Sequence, residues 1–316
     1  MLAAPVKATE AVAGEHRSGQ RPALFDRPNW SAESPAGRLF SPTISAAGEV
    51  ALLRTCDRIA GERLGAFARA LTLLPEREQE RAVLLLALAD VLFATVTGPA
   101  AAESNVDDLD RIAFSLARAL RGEATEELFA RRLAAESRRR GFTRQALDNL
   151  FDAARRTARR RRPESCEALA LRAHRIAEAF ATALFGTEPT AAVIELGAGL
   201  LRLQALQSLA ADLRVHHCAL PESAVAEPVQ YRTPVEIGAA VERECAELRK
   251  LLLKGARAAG EVPLSFRRPT AFLLPVALSL LGLVEVRPAE LARRAPTIGK
   301  WTIRRAYWRA RFTPLT

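Results

Sequence analysis

Two groupings in this 316-residue chain carry side chains that could do chemistry: the acids Asp107, Asp108 and Asp110, and the adjacent pair His216 and His217. Clustered carboxylates hold hard divalent cations, whereas imidazole suits zinc or copper better than magnesium. Position weakens both groupings. The three aspartates follow the Gly98-Pro99 break and stand just ahead of a helical pattern, so they are expected to cap that helix and complement its dipole. Neighbouring residues point apart in a helix or a strand. With no third ligand nearby, the histidine pair is therefore expected in an exposed loop. The four cysteines (Cys56, Cys166, Cys218, Cys245) are scattered without a CxxC pair and are expected as free thiols of a reducing compartment. No serine sits in a G-x-S-x-G context and no glycine loop could cradle a phosphate, so the sequence offers neither a catalytic triad nor a P-loop.

Charge carries more information. The formal net charge is +10 and most of the excess is arginine. Such a balance favours polyanions, anionic headgroups or diphosphates without choosing among them. The runs at 138–140 and 155–162 read as solvated helix faces. Near the C-terminus, Lys300, Trp301, Arg304, Arg305, Tyr307, Trp308, Arg309 and Arg311 interleave aromatic and basic side chains. That mixture suits a bilayer interface or docking onto the rest of the fold. No recognition motif or stacking platform accompanies the charge, which leaves nucleic acid the least favoured partner.

The elements that must position these groups are helices. The composition is rich in Ala, Leu, Arg and Glu, and 49% of residues are hydrophobic, enough for one sizeable core. Residues 1–45 lack apolar periodicity and are expected as a flexible N-terminal arm docking through Phe25, Trp30 and Phe40; residues 46–316 form the helical domain. Spacings of three and four predict helices over 50–60, 64–71, 76–96, 106–120, 126–139, 144–159, 165–185, 191–213, 233–259, 269–284 and 298–310. Pro75 with Glu76 opens one of them, Gly141 stops another and Thr143 caps the next. Helices 81–96 and 191–213 are apolar nearly all round, which places them in the middle of a bundle able to hold an elongated apolar ligand. The stretch 270–286 carries Pro275 and Gly282, is short for a bilayer span, and is expected as a core helix. No signal-peptide pattern is evident, so a cytoplasmic protein is expected, in solution or at the membrane surface.

The order of the punctuation resembles that of the squalene/phytoene synthase family. Phe67, Leu74-Pro75 and Arg81 ahead of a long apolar helix look like the family's opening. Gly141-Phe142, residues 147–151, Pro163-Glu164-Ser165, Ile176-Ala177 and Phe185-Gly186 follow in the family's order. The stretch 203–221 is similar to the helix that carries the second aspartate-rich motif and its Leu-Pro end. The likeness covers residues 50–310 and implies an all-α isoprenoid-synthase-like bundle around a central apolar cavity. In active members two acidic motifs on facing helices hold magnesium, which binds and ionises prenyl diphosphates. A leaving diphosphate needs that neutralisation, and magnesium needs near-octahedral oxygen ligands.

Here the chain departs from the family. The first motif falls on residues 91–95, Val-Leu-Phe-Ala-Thr, with Asp90 one position early; in the second, Asp212 matches the first aspartate but Val215 and His216 stand at the next acidic positions. The resemblance thus leaves Asp90 and Asp212 as remnant metal ligands, with Arg214 a candidate for diphosphate. Glu178 and Ala181 replace the family's two glycines, so close helix approach is expected to be lost. Two functions follow from the likeness. One is a non-catalytic or strongly divergent paralogue that binds a prenyl lipid or partners an active prenyl synthase. The other is an active magnesium-dependent transferase of farnesyl or geranylgeranyl diphosphate in squalene, carotenoid or hopanoid biosynthesis. Trp301, Arg304, Arg305, Tyr307 and Trp308 remain candidates for membrane contact under either.

Overall fold

Helix-forming residues with apolar stripes of period 3.6 can bury those stripes only against one another. In the computed structural model they do so in a bundle, described over residues 39–40, 42–97, 102–139, 142–159, 162–214, 218–226 and 229–313. In chain order the helices are α1 (Pro42–Ala47), α2 (Glu49–Leu64), α3 (Glu76–Thr97), α4 (Ala102–Leu120), α5 (Leu128–Arg138) and α6 (Arg144–Arg159). After these come α7 (Cys166–Phe185), α8 (Ala191–Arg214), α9 (Pro234–Lys254), α10 (Ala258–Glu261), α11 (Leu264–Val286) and α12 (Lys300–Arg311). A 3-10 helix, Gly65–Leu73, joins α2 to Pro75, and no strand occurs among the described residues.

Local signals set many of the boundaries. The Pro75 carbonyl accepts from Gln79 N at 2.8 Å, which starts α3. Thr143 Oγ1 accepts from Ala146 N at 3.1 Å and Ser165 Oγ from Ala168 N at 3.2 Å, capping α6 and α7. Thr233 and Glu236 form a reciprocal capping box on α9. Gly141, His216 and His217 lie outside the described residues, as do Phe25 and Trp30.

Leu39 and Phe40 are buried, and Phe40, expected as a docking point, meets Phe129 edge-on with centroids 5.3 Å apart. Packing shifts two expectations. The α4 helix begins at Ala102, so Asp107, Asp108 and Asp110 stand inside it and do not cap it. Asp108 pairs with Arg111 at 3.5 Å and Asp110 with Arg155 at 2.9 Å. The α11 helix starts five residues ahead of Pro269, because burial of Phe266 and Pro269 outweighs the proline's poor propensity. The N-terminal helices share a core with Leu84, Leu88, Leu109, Ile112, Phe129 and Leu133, while α8 to α12 share another with Leu203, Val241, Leu248, Phe272 and Leu280. The α3 and α7 helices lie between them.

Candidate functional site: an apolar cavity with an arginine-lined mouth

Alanine and glycine make the space. A cavity of about 400 Å³ opens between the 3-10 helix, α3, α7, α8, α10 and α11. That volume is within the range of roughly 300–1,000 Å³ usual for ligand pockets. Its wall includes Ala70, Ala82, Ala89, Ala173, Ala177 and Ala181, with Leu and Phe side chains between them. Along α8 the wall runs from Val193 to Ala205, about 18 Å at 1.5 Å per residue. The space is therefore long and narrow.

Close contact between α7 and α8 sets one side. These helices are joined by a short break and run antiparallel. A Cβ placed on Gly197 would stand 3.0 Å from Ala177 Cβ. The expected loss of close approach is therefore corrected: the glycine comes from α8, facing an alanine on α7. Opposite, Gly255 lies against the Leu196 backbone, and an added Cβ would come within 2.8 Å of Leu196 N and Cα. No side chain can stand there unless α8 shifts.

Polar residues gather at one end. Arg63, Asp90, Thr157, Arg172, Arg202 and Gln204 all line the cavity. They fall on the C-terminal parts of α2, α3 and α6, the N-terminal part of α7 and the middle of α8, which is one end of the cavity. Toward the other end the lining is Leu74, Ala82, Leu184, Phe185, Val193 and Phe266, with Phe185 edge-on to Phe266 at 4.9 Å. Arg81 fastens this deep end: its Nη2 donates to the Leu184 carbonyl and its guanidinium lies 5.8 Å from the Phe266 ring. Burial pulls the Arg81 pKa below the ordinary arginine value.

At the mouth, Asp90 meets Arg63 Nε at 3.4 Å, and Gln204 Nε2 donates to the Arg63 carbonyl. Arg202 is 4% exposed and donates through both Nε and Nη2, at 2.6 Å each, to the equally buried Glu244 of α9. Such a bidentate fork holds the guanidinium plane fixed beside the cavity. Burial also lowers the Arg172 pKa, since a charged guanidinium loses hydration there. An anion in the mouth would repay part of that loss. Next to the lining residues Pro163 and Ala219, Arg162 donates from Nε to the Leu220 carbonyl at 2.8 Å and from Nη2 to the Pro221 and Val225 carbonyls. The run 155–162 thus ends in a loop clamp.

Asp90 lines the cavity, but Asp212 is not among its lining residues. Asp212 accepts from Ser208 Oγ at 2.9 Å, one turn back on α8, and Arg214 is exposed at that helix end. Among the described residues, no three His, Cys, Asp or Glu side chains come together in a set that could hold a metal ion. One carboxylate facing a guanidinium does not fit the oxygen cage that magnesium requires. Sequence reasoning missed Arg63, Arg172, Arg202 and Gln204. The available signal was Arg202 itself, an arginine in the middle of the apolar helix 191–213. A charge there must have a buried partner.

The architecture matches known structures. A dehydrosqualene synthase crystallised in complex with ligand aligns with a TM-score of 0.66 over 88% of this chain and 98% of that one, at 13% identity. The squalene synthase HpnC from Alicyclobacillus acidocaldarius aligns at 0.61 over 78% of this chain and 98% of its own, at 17% identity. TcSQS, in complex with a ligand, aligns at 0.61 over 82% and 86%, at 14% identity. No protein-family model and no curated protein matches the sequence. The chain is a squalene/phytoene synthase-like protein in its all-α fold, with arginines at the mouth of the cavity.

Proposed function

We propose that this protein holds a prenyl lipid, as the free chain or its diphosphate, without a magnesium cluster. On this reading it is a non-catalytic or strongly divergent relative of the prenyl synthases whose fold it shares. One observation carries the reading: an apolar slot ends in Arg63, Asp90 and Arg172, with Arg202 beside them already held by Glu244. The slot takes the hydrocarbon chain, and guanidinium forks suit phosphate oxygens in the absence of a metal. A prenyl carrier could also hand its lipid to an active prenyl synthase, since such a partner would act on the same chain.

The binding of farnesyl diphosphate and of farnesol to the purified protein tests this by calorimetry in EDTA. Both should bind. Arg172→Gln should weaken the diphosphate about tenfold, the scale of one charge-assisted hydrogen bond, and leave farnesol unchanged. Turnover of farnesyl or geranylgeranyl diphosphate with magnesium would end the reading. Turnover would instead establish the second reading, an active transferase, which the shared fold favours and in which Asp90, Asp212 and Arg214 handle the diphosphates. In that case Asp212→Ala should abolish turnover.

A further inference from the structure

The α12 helix has an unusual division of its surface. At 100° per residue, Trp301, Arg305, Trp308 and Phe312 fall within an arc of about 60°. Trp301 is 78% exposed, Trp308 43% and Phe312 73%. Ala306 and Ala310 are buried on the opposite side of the helix. Arg304 and Arg311 flank the aromatic ridge on one side and Arg309 on the other, all exposed. Arg304 lies 5.4 Å from the Trp301 ring and Arg311 5.9 Å from the Trp308 ring, so the cations sit at the level of the indoles. Trp308 stacks on Phe312 with centroids 5.7 Å apart, which makes the ridge continuous.

Charge selects the partner. The twelve residues of α12 contain no acid. From Arg287 to the C-terminus the sequence has eight Lys and Arg against Glu290 alone, a large share of the +10 net charge. Two such faces would repel one another, so a second copy of the chain is disfavoured. Aromatic side chains at the centre with arginines to either side form the pattern of a helix lying in a bilayer interface. Twelve residues span about 18 Å, too short to cross a hydrocarbon core of about 30 Å.

We infer that α12 is a membrane-docking helix, which lies flat on an anionic bilayer with Trp301, Trp308 and Phe312 inserted and Lys300, Arg304, Arg305, Arg309 and Arg311 on lipid phosphates. Its buried side rests on elements that wall the cavity. Tyr307 meets the Phe272 ring of α11 edge-on at 6.5 Å, and its hydroxyl bonds Thr72 in the 3-10 helix. A docked α12 therefore holds the cavity walls beside the lipid phase. The inference does not depend on what fills the cavity, and its failure would leave the ligand reading untouched.

Flotation of the full chain tests it, with vesicles of phosphatidylcholine alone or with 30% phosphatidylglycerol, at low and at 0.5 M salt. At about fivefold per cation near the surface, the anionic vesicles should bind at least tenfold more protein, and salt should reverse most of the gain. Tryptophan emission should shift to the blue on binding. The exposed pair Trp301→Ser/Trp308→Ser should remove the shift and weaken binding at least tenfold. Arg304→Glu/Arg305→Glu/Arg309→Glu should abolish the preference for anionic lipid. Thermal unfolding by circular dichroism, unchanged in both variants, separates docking from folding. Equal binding to neutral vesicles, no binding to either, or undiminished binding by both variants would overturn the proposal. So would a salt-resistant complex with duplex DNA that both variants lose while vesicle binding stays weak.

Discussion

The two faces of α3 are the clearest contrast in the molecule. One face carries Leu84, Leu85, Leu88, Val91 and Leu92, all fully buried in the N-terminal core. The other carries Ala82, Leu86, Ala89, Asp90 and Phe93, which line the cavity. The same helix is packed solid on one side and faces open space on the other. Residue size accounts for much of the difference, because alanines on α3 and α7 leave volume where leucines would close it. Close packing of α7 on α8 keeps that volume from collapsing.

The largest expected effect lies at the cavity wall. Glu244→Ala would leave Arg202 buried without its carboxylate and should cost about 3–5 kcal/mol, read from urea unfolding. A cost near zero would show that water reaches Arg202 from the mouth. Next comes the contrast on α3 itself. Leu88→Ala should cost about 2–5 kcal/mol by leaving a void in a closed core. Leu86→Ala only widens an existing space and should cost about 1 kcal/mol. Equal losses would mean that the two faces are packed alike.

Gly255→Ala drives a methyl group into the Leu196 backbone and should cost about 1–3 kcal/mol. If α8 gives way, the variant should also bind the prenyl ligand more weakly. The smallest effect is in the thiols. Burial pushes Cys56 and Cys245 up to about 12, with nearby carboxylates adding to the shift. Well below pH 9 both are protonated in the folded and unfolded chains. Between about pH 9 and 12 the unfolded chain loses these protons first, so stability should fall as pH rises through that window. At pH 8 a thiol reagent should modify exposed Cys166 quickly and Cys56, Cys218 and Cys245 only on unfolding. Fast reaction of Cys56 would mean that the solid face opens.

Legibility in the sequence followed the range of each interaction. The α6 helix, Arg144–Arg159, appears with the bounds its periodicity predicts, and its Thr143 cap is present. Both depend on neighbours along the chain. The α4 start was misplaced because Ala102 to Asn105 can extend a helix or end a loop, and Asp107 to Asp110 serve either state. At the site, the sequence offers Asp90 only as a remnant metal ligand; its place on the cavity wall and the arginines around it come from the packing.

By itself the sequence determined the helical class, the order of the helices, the lack of acid clusters at the two family positions and the basic, aromatic composition of the last helix. These properties belong to residue type and to local spacing. Only the tertiary structure decided that Gly197 packs against Ala177, that Arg202 meets Glu244, and that Asp90 but not Asp212 lines the cavity. Each depends on how one helix is rotated and shifted against another. A rotation of one residue turns a side chain by about 100°, enough to move it from a cavity to a core. That rotation is set by packing summed over many distant residues, which no local pattern records.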